Sequence, residues 1–271
     1  MQTIQRQFVN GRYGQMHVRV SQAQKTQDRP LVCLHMFPQS SRSLSAFIAE
    51  MATDRMVIAP DFPGYGESDK PTSPIAASDY AASIWDVVDA LELHAHDRTI
   101  DLFGIHAGAK LAAEFARQRP EAINRIALSS AAVLTEEEVS HIRTSLASIP
   151  LDVSGTRFQS IWNMLLRNRG NGVTLEMLAT TLSEILRGGE QYDWGSRAVF
   201  DYNAEFANTL STLTHPVCLM NPGDDLYAMT PRSMAFLQNG HLCDRPQWGQ
   251  GFLETKPDEV AAYVRGFLSA H

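Results

Sequence analysis

The stretch Ile100-Asp101-Leu102-Phe103-Gly104-Ile105-His106-Ala107-Gly108-Ala109 passes from an apolar run straight into a helical pattern, with a glycine two residues to either side of His106. Small flanking residues let a backbone turn sharply from strand to helix, and such a turn lifts its central side chain out at the carboxyl edge of a sheet. Position 106 is therefore the first candidate for a reacting group. Leu111, Ala112, Phe115 and Ala116 then repeat on one helical face, so the stretch reads as strand, tight turn and amphipathic helix.

The same alternation extends outward in both directions. Upstream, Phe8 to Val20 alternates apolar and polar residues around Asn10-Gly11, the pattern of a hairpin at an antiparallel edge. Short apolar runs follow at Leu31 to His35, Met56 to Ala59, Ile126 to Leu128 and Val217 to Met220, each reading as a strand buried on both faces. Tyr80, Ile84, Val87, Val88 and Leu91 mark a helix between two of them, and Pro257 with Asp258 and Glu259 opens a last one. Parallel strands need such crossovers, so the fold class is α/β, a mostly parallel sheet with helices on both faces. From about Thr135 to Tyr202 the strands stop and helical segments take over. The expected organisation is a core of residues 1–134 and 203–271 with a helical cap at 135–202. Phe158, Trp162, Tyr192 and Trp194 are candidates to line a pocket beneath that cap.

Composition narrows the function. A chain of 271 residues, 44% hydrophobic, can bury a large core, and a net charge of −7 with scattered Lys and Arg argues against nucleic acid as a partner. The first residues are polar and no stretch approaches the roughly 18 apolar residues of a membrane span, so a cytoplasmic protein with no membrane contact is expected. Cys33, Cys218 and Cys243 read as buried thiols, and no cofactor is implied.

Two further stretches join the turn at His106. His35-Met36-Phe37-Pro38-Gln39-Ser40 follows one strand, and Pro60-Asp61-Phe62-Pro63-Gly64-Tyr65-Gly66-Glu67-Ser68-Asp69 follows the next. Together the three resemble the α/β-hydrolase superfamily, in particular its capped branch of esterases, carbon-carbon bond hydrolases, epoxide hydrolases and cofactor-free lyases or dioxygenases. In that resemblance Gly104 to Gly108 matches the Gly-x-Ser-x-Gly nucleophile elbow with His106 in place of serine. His35 to Pro38 resembles the His-Gly-x-Pro loop with Met36 for glycine, which implies Phe37 and Ala107 as oxyanion-binding amides. The family's acid would be Asp225, in better register with Thr230-Pro231, or Asp224; either could also be a plain cap or turn residue. The family's base position falls in Trp248 to Glu254, where Gln250 stands in place of histidine and cannot take a proton near neutral pH. His241 is the alternative base, although it trails Asp225 closely.

With two of three expected groups changed, the resemblance implies the fold more than the chemistry. Neutral imidazole has a lone pair near pH 7, so His106 could attack an acyl carbonyl itself or act as general base toward water. A metal centre of His35, His106 and Asp225 is a further reading, as is an inactive binding relative in which His106 merely fills the serine site. The preferred expectation is hydrolysis of a small, largely apolar ester-like or carbon-carbon bond substrate held under the cap. A non-catalytic small-molecule binder and a cofactor-free lyase or oxygenase are the alternatives, and a homodimer is compatible with any of them.

Overall fold

The structure, a computed structural model, describes residues 3–21, 29–94, 98–145 and 148–270. Its first two strands, β1 (Gln5–Gly11) and β2 (Gly14–Ser21), form the expected hairpin. They pair from Gln5 opposite Val20 to Gly11 opposite Gly14, so the turn itself is Arg12-Tyr13, just past the Asn-Gly signal. Gly14 sits at φ 117°, a conformation only glycine adopts without strain.

Six more strands complete one sheet: β3 (Leu31–Leu34), β4 (Val57–Pro60), β5 (Ile100–Ile105), β6 (Ile123–Ser129), β7 (Val217–Gly223) and β8 (Gly240–Gly249). Their spatial order is β1-β2-β4-β3-β5-β6-β7-β8. β2 pairs antiparallel with both neighbours, and the ladders from β4 to β8 are parallel. β3, β4 and β5 are buried at every residue, which is why they read as unbroken apolar runs.

Helices cover both faces. On one side α2 (Ala77–Ala90) and α3 (Ala107–Gln118) pack with β2 and β5, and Trp85 stacks on Phe115 with ring centroids 3.9 Å apart. On the other, α1 (Ser45–Met51), α9 (Phe252–Thr255) and α10 (Pro257–Leu268) close over Leu31, Ala59 and Phe103. Each fully buried Leu, Ile or Phe in these layers contributes about 1.5–3 kcal/mol relative to exposure, against the entropy of ordering the chain.

Between β6 and β7 the chain forms α4 (Glu136–Ser145), α5 (Thr156–Arg167), α6 (Leu175–Arg187), α7 (Trp194–Asp201) and α8 (Asn203–Thr212), with no strand among the described residues. Ala198 and Val199 of α7 are buried against the α2/α3 layer together with Tyr202 and Phe206, so the chain rejoins the core within α7, before the expected boundary at residue 202. Tyr65, in the loop after β4, ties this insertion down: its hydroxyl donates to the Tyr192 carbonyl at 3.1 Å and accepts from the Gly195 amide at 2.7 Å. No described helix is long and apolar enough to cross a membrane. Cys33, Cys218 and Cys243 are free and buried.

Because β3, β5 and β7 run parallel, the loops after them emerge at one edge of the sheet. That edge receives Met36 and Phe37, His106, and Asp224 and Asp225, while the insertion passes over it.

Candidate active site

His106 stands between β5 and α3 at φ 51°, ψ −118°, a strained conformation for a residue with a Cβ. Backbone bonds on both sides hold it there. Its amide donates to the Ser129 carbonyl at 2.9 Å, and its own carbonyl accepts from the Ala109 amide at 3.0 Å. The two glycines are required by packing rather than by their own dihedrals. A Cβ on Gly104 would lie 2.5 Å from the Gly108 carbonyl oxygen, and one on Gly108 would collide with the carbonyls of Leu34 and His35.

The imidazole Nε2 lies 3.0 Å from Asp224 Oδ2 and 3.9 Å from Asp225 Oδ1. The carboxylate bonded to His106 is thus Asp224, not Asp225, which the register with Thr230-Pro231 favoured. The reason is local: after Pro222-Gly223 the chain turns so that Asp224 Oδ1 accepts the Leu226 amide at 2.9 Å, which directs that side chain inward. Asp224's side chain is 2% exposed and Asp225's 59%. Ser130, itself at φ 55°, donates its hydroxyl to Asp224 Oδ2 at 2.5 Å. Burial alone would depress the imidazole of His106, but the Asp224 hydrogen bond and the charges of Asp224 and Asp225 outweigh it and raise its pKa. Burial conversely favours a protonated Asp224, yet His106, Ser130 and the Leu226 amide hold it below the ordinary carboxylate value. The network therefore places a proton on Nε2 facing Asp224 and leaves Nδ1, which has no partner among the described residues, with its lone pair.

The loop after β3 supplies Met36 and Phe37. Neither the Phe37 amide nor the Ala107 amide, the first of α3, donates to a protein acceptor among the described residues, and Phe37 lines the same cavity as His106. His35 is fully buried and both its nitrogens are used: Nδ1 donates to the Met36 carbonyl at 2.9 Å and Nε2 accepts from the Phe62 amide at 3.1 Å. Burial pushes its pKa down, so the ring is a neutral brace between two loops. That removes it from the metal set of His35, His106 and Asp225. The donor atoms that do converge, within 4.8 Å of one another, belong to His106, Asp224 and Asp225.

Gln250 follows β8 and lines the same cavity, but no hydrogen bond joins it to His106 among the described residues. Its backbone carbonyl instead packs against Gly170 of the insertion, in the space a Cβ would need. His241 is excluded as a partner of His106. It sits at the amino end of β8 opposite Cys218, away from the carboxyl edge, and its Nε2 meets the Tyr263 hydroxyl at 3.1 Å. The short spacing from Asp225 leaves only a 3-10 helix over Thr230–Phe236 before the last strand, which begins at Gly240 and includes His241 itself.

Above these groups lies a cavity of about 390 Å³, walled by Met36, Phe37, Leu44, Ile105, Ile161, Met164, Leu178, Ile185 and Tyr192. Of the four aromatic residues proposed from the sequence, Tyr192 alone lines it, and Phe158 is 42% exposed. Polar groups reach the cavity from Gln39, Asn168, Arg169 and Glu254; burial raises the pKa of Glu254.

Comparison with known proteins agrees with this geometry. The family model for the alpha/beta hydrolase fold matches residues 29–156. The meta-cleavage product hydrolase CumD from Pseudomonas fluorescens superposes with a TM-score of 0.78 over 97% of both chains at 16% identity. The chain has the alpha/beta hydrolase fold. Carboxylesterase CesB from Bacillus subtilis shares this fold at TM-score 0.75 and 20% identity, over 98% of this chain and 92% of its own. At such identities the likeness is one of fold. An uncharacterized protein of Mycobacterium tuberculosis, Rv2715, is 30% identical over 121 residues, 45% of this chain, which spans about a third of the length of that relative.

Ser130 escaped the reading of the sequence. The signal was present in Ser129-Ser130, two small polar residues directly after the apolar run that forms β6, which neighbours β5 at the carboxyl edge.

Proposed function

We propose that this α/β hydrolase hydrolyses a small, largely apolar carbonyl compound, with the His106–Asp224 pair as general base. A water is deprotonated by Nδ1 of His106 as its oxygen adds to the substrate carbonyl, and the Phe37 and Ala107 amides receive the developing oxyanion. Collapse then expels the leaving group, which takes the proton from the imidazolium. Asp224 fixes the tautomer and stabilises the imidazolium without itself being protonated. The observation that carries this reading is the 3.0 Å bond from Nε2 to a buried carboxylate, which leaves the other ring nitrogen free toward an apolar cavity. Direct attack by water also needs no second base at Gln250, which an acyl-imidazole would need for its release. The cavity wall favours apolar acyl groups, and its volume fits a small ligand.

The test is turnover of short-chain aryl esters and of a vinylogous carbon-carbon bond substrate by the wild type, His106→Ala and His241→Ala, with intact-protein mass spectrometry of rapidly quenched reactions. Turnover lost in His106→Ala, kept in His241→Ala and free of a covalent adduct is expected. An acyl adduct on His106 would make the imidazole the nucleophile. Tight binding of an apolar ligand without turnover would make the protein a binder.

A further inference from the structure

A second cavity, of about 360 Å³, is walled by a different set of side chains, including Arg6, Arg19, Arg42 and Arg187. It shares two walls with the first. Gln39 and Thr181 face the apolar cavity, whereas Ser40 and Glu184, their near neighbours in sequence, face this one.

We propose that this second cavity binds a phosphate-type oxyanion between Arg6 and Arg19. The two residues are directly opposite each other in the β1/β2 ladder, so both side chains project from one face of the sheet. Like charges so placed repel, and a hairpin keeps them at a cost unless an anion sits between them. The acids nearby are already committed. Glu67 pairs with Arg187 at 2.6 Å, and Glu184 accepts the Ser40 hydroxyl and faces Arg42 at 3.5 Å. Asp61 is held by His17 Nδ1 and the Ser41 amide, both at 2.8 Å, and by the Glu67 amide at 3.0 Å. Arg6 and Arg19 form no ion pair among the described residues, and the four arginines of the lining outnumber its three carboxylates, Asp61, Glu67 and Glu184, by one.

A second observation points the same way. Arg19 Nε is buried with no hydrogen-bond partner among the described residues. Buried donors are normally satisfied, and an anion or its bound water would do so here. The choice of phosphate over a carboxylate follows from the donors. Two guanidinium forks present paired N–H groups and two charges, which a dianion with three free oxygens satisfies and a monocarboxylate satisfies only by half. Free phosphate and the terminal group of a phosphate monoester share this chemistry.

The test is calorimetric titration with inorganic phosphate and, separately, phenyl phosphate, against sodium chloride at matched ionic strength. The proteins are wild type, Arg6→Gln, Arg19→Gln and the remote control Arg125→Gln. Saturable binding by wild type and Arg125→Gln, weakened at least about tenfold in Arg6→Gln and Arg19→Gln, is expected. Equal binding of both probes assigns the site to monoesters as well; binding of inorganic phosphate alone assigns it to the free ion. Should Arg19→Gln fold poorly, Arg6→Gln on the outer strand decides alone. No saturable binding beyond chloride, or binding indifferent to Arg6, overturns the proposal.

Discussion

Replacing Asp224 by asparagine keeps the shape of the acid and removes its charge, which isolates what the carboxylate does for His106. In the wild type one Oδ accepts from His106 at 3.0 Å and from Ser130, while the other accepts the Leu226 amide, all at a side chain 2% exposed. A hydrogen bond to a charged group contributes about 1.5–3 kcal/mol, and if that support is expressed in the transition state its loss lowers kcat/KM by roughly 10- to 150-fold. The pH profile carries a sign as well. His106 must be neutral to act as a base, and Asp224 raises its pKa, so wild-type activity climbs as pH rises through that raised value. Asp224→Asn moves this limb to lower pH while lowering the plateau, because burial then meets less opposition. The assay is kcat/KM for one aryl ester from about pH 5 to 9. An unmoved limb, or a loss of less than about twofold, would refute the pairing. The same loss appearing in Asp225→Asn instead would transfer the role to Asp225.

Two further outcomes follow from other parts of the structure. Burial favours protonation of Asp61, but the His17 hydrogen bond and the amides of Ser41 and Glu67 outweigh it and push its pKa down to about 2. This contribution is present above the ordinary carboxylate value and is lost as pH falls from about 4 through 2; Asp61→Asn should therefore cost about 2 kcal/mol in urea unfolding at neutral pH and flatten the acid limb of stability, and an unchanged acid limb would count against it. Gly108→Ala gains up to about 1 kcal/mol of helix propensity but drives a methyl group into the Leu34 and His35 carbonyls, an overpacking cost of about 1–3 kcal/mol or more. A net loss of stability is expected, and a stabilised variant would show that α3 has room to move.

The fold was legible because the central strands are buried on both faces and so advertise themselves as apolar runs. The turn at His106 was legible for a similar reason, since its two glycines answer to contacts within a few residues and to the strand beside them. β8 was not, because an edge strand such as Gly240–Gly249 is half exposed, carries Asp244 and Arg245, and tolerates Pro246 where a central strand would not. The choice between Asp224 and Asp225 lay below the resolution of pattern: it depends on which side chain a turn directs inward, and the deciding contact is the Leu226 amide. Ser130 and the Arg6–Arg19 pair illustrate a third limit. Their significance comes from the register of neighbouring strands, which no single stretch of sequence displays.

The turn at His106 is held by parts of the chain other than the side chain it presents. Ser129 and Ala109 secure its backbone, and Gly104 and Gly108 provide the close approach of strand and helix. The imidazole adds only its bond to Asp224, a residue whose position the Leu226 amide fixes independently. Position 106 thus behaves as a socket: its occupant can be exchanged at little expense to folding, while the amides, the apolar chamber and the inward acid stay where they are. Reaction type on this scaffold is in that sense modular, and a library of residues at one position would sample different chemistries against a constant background.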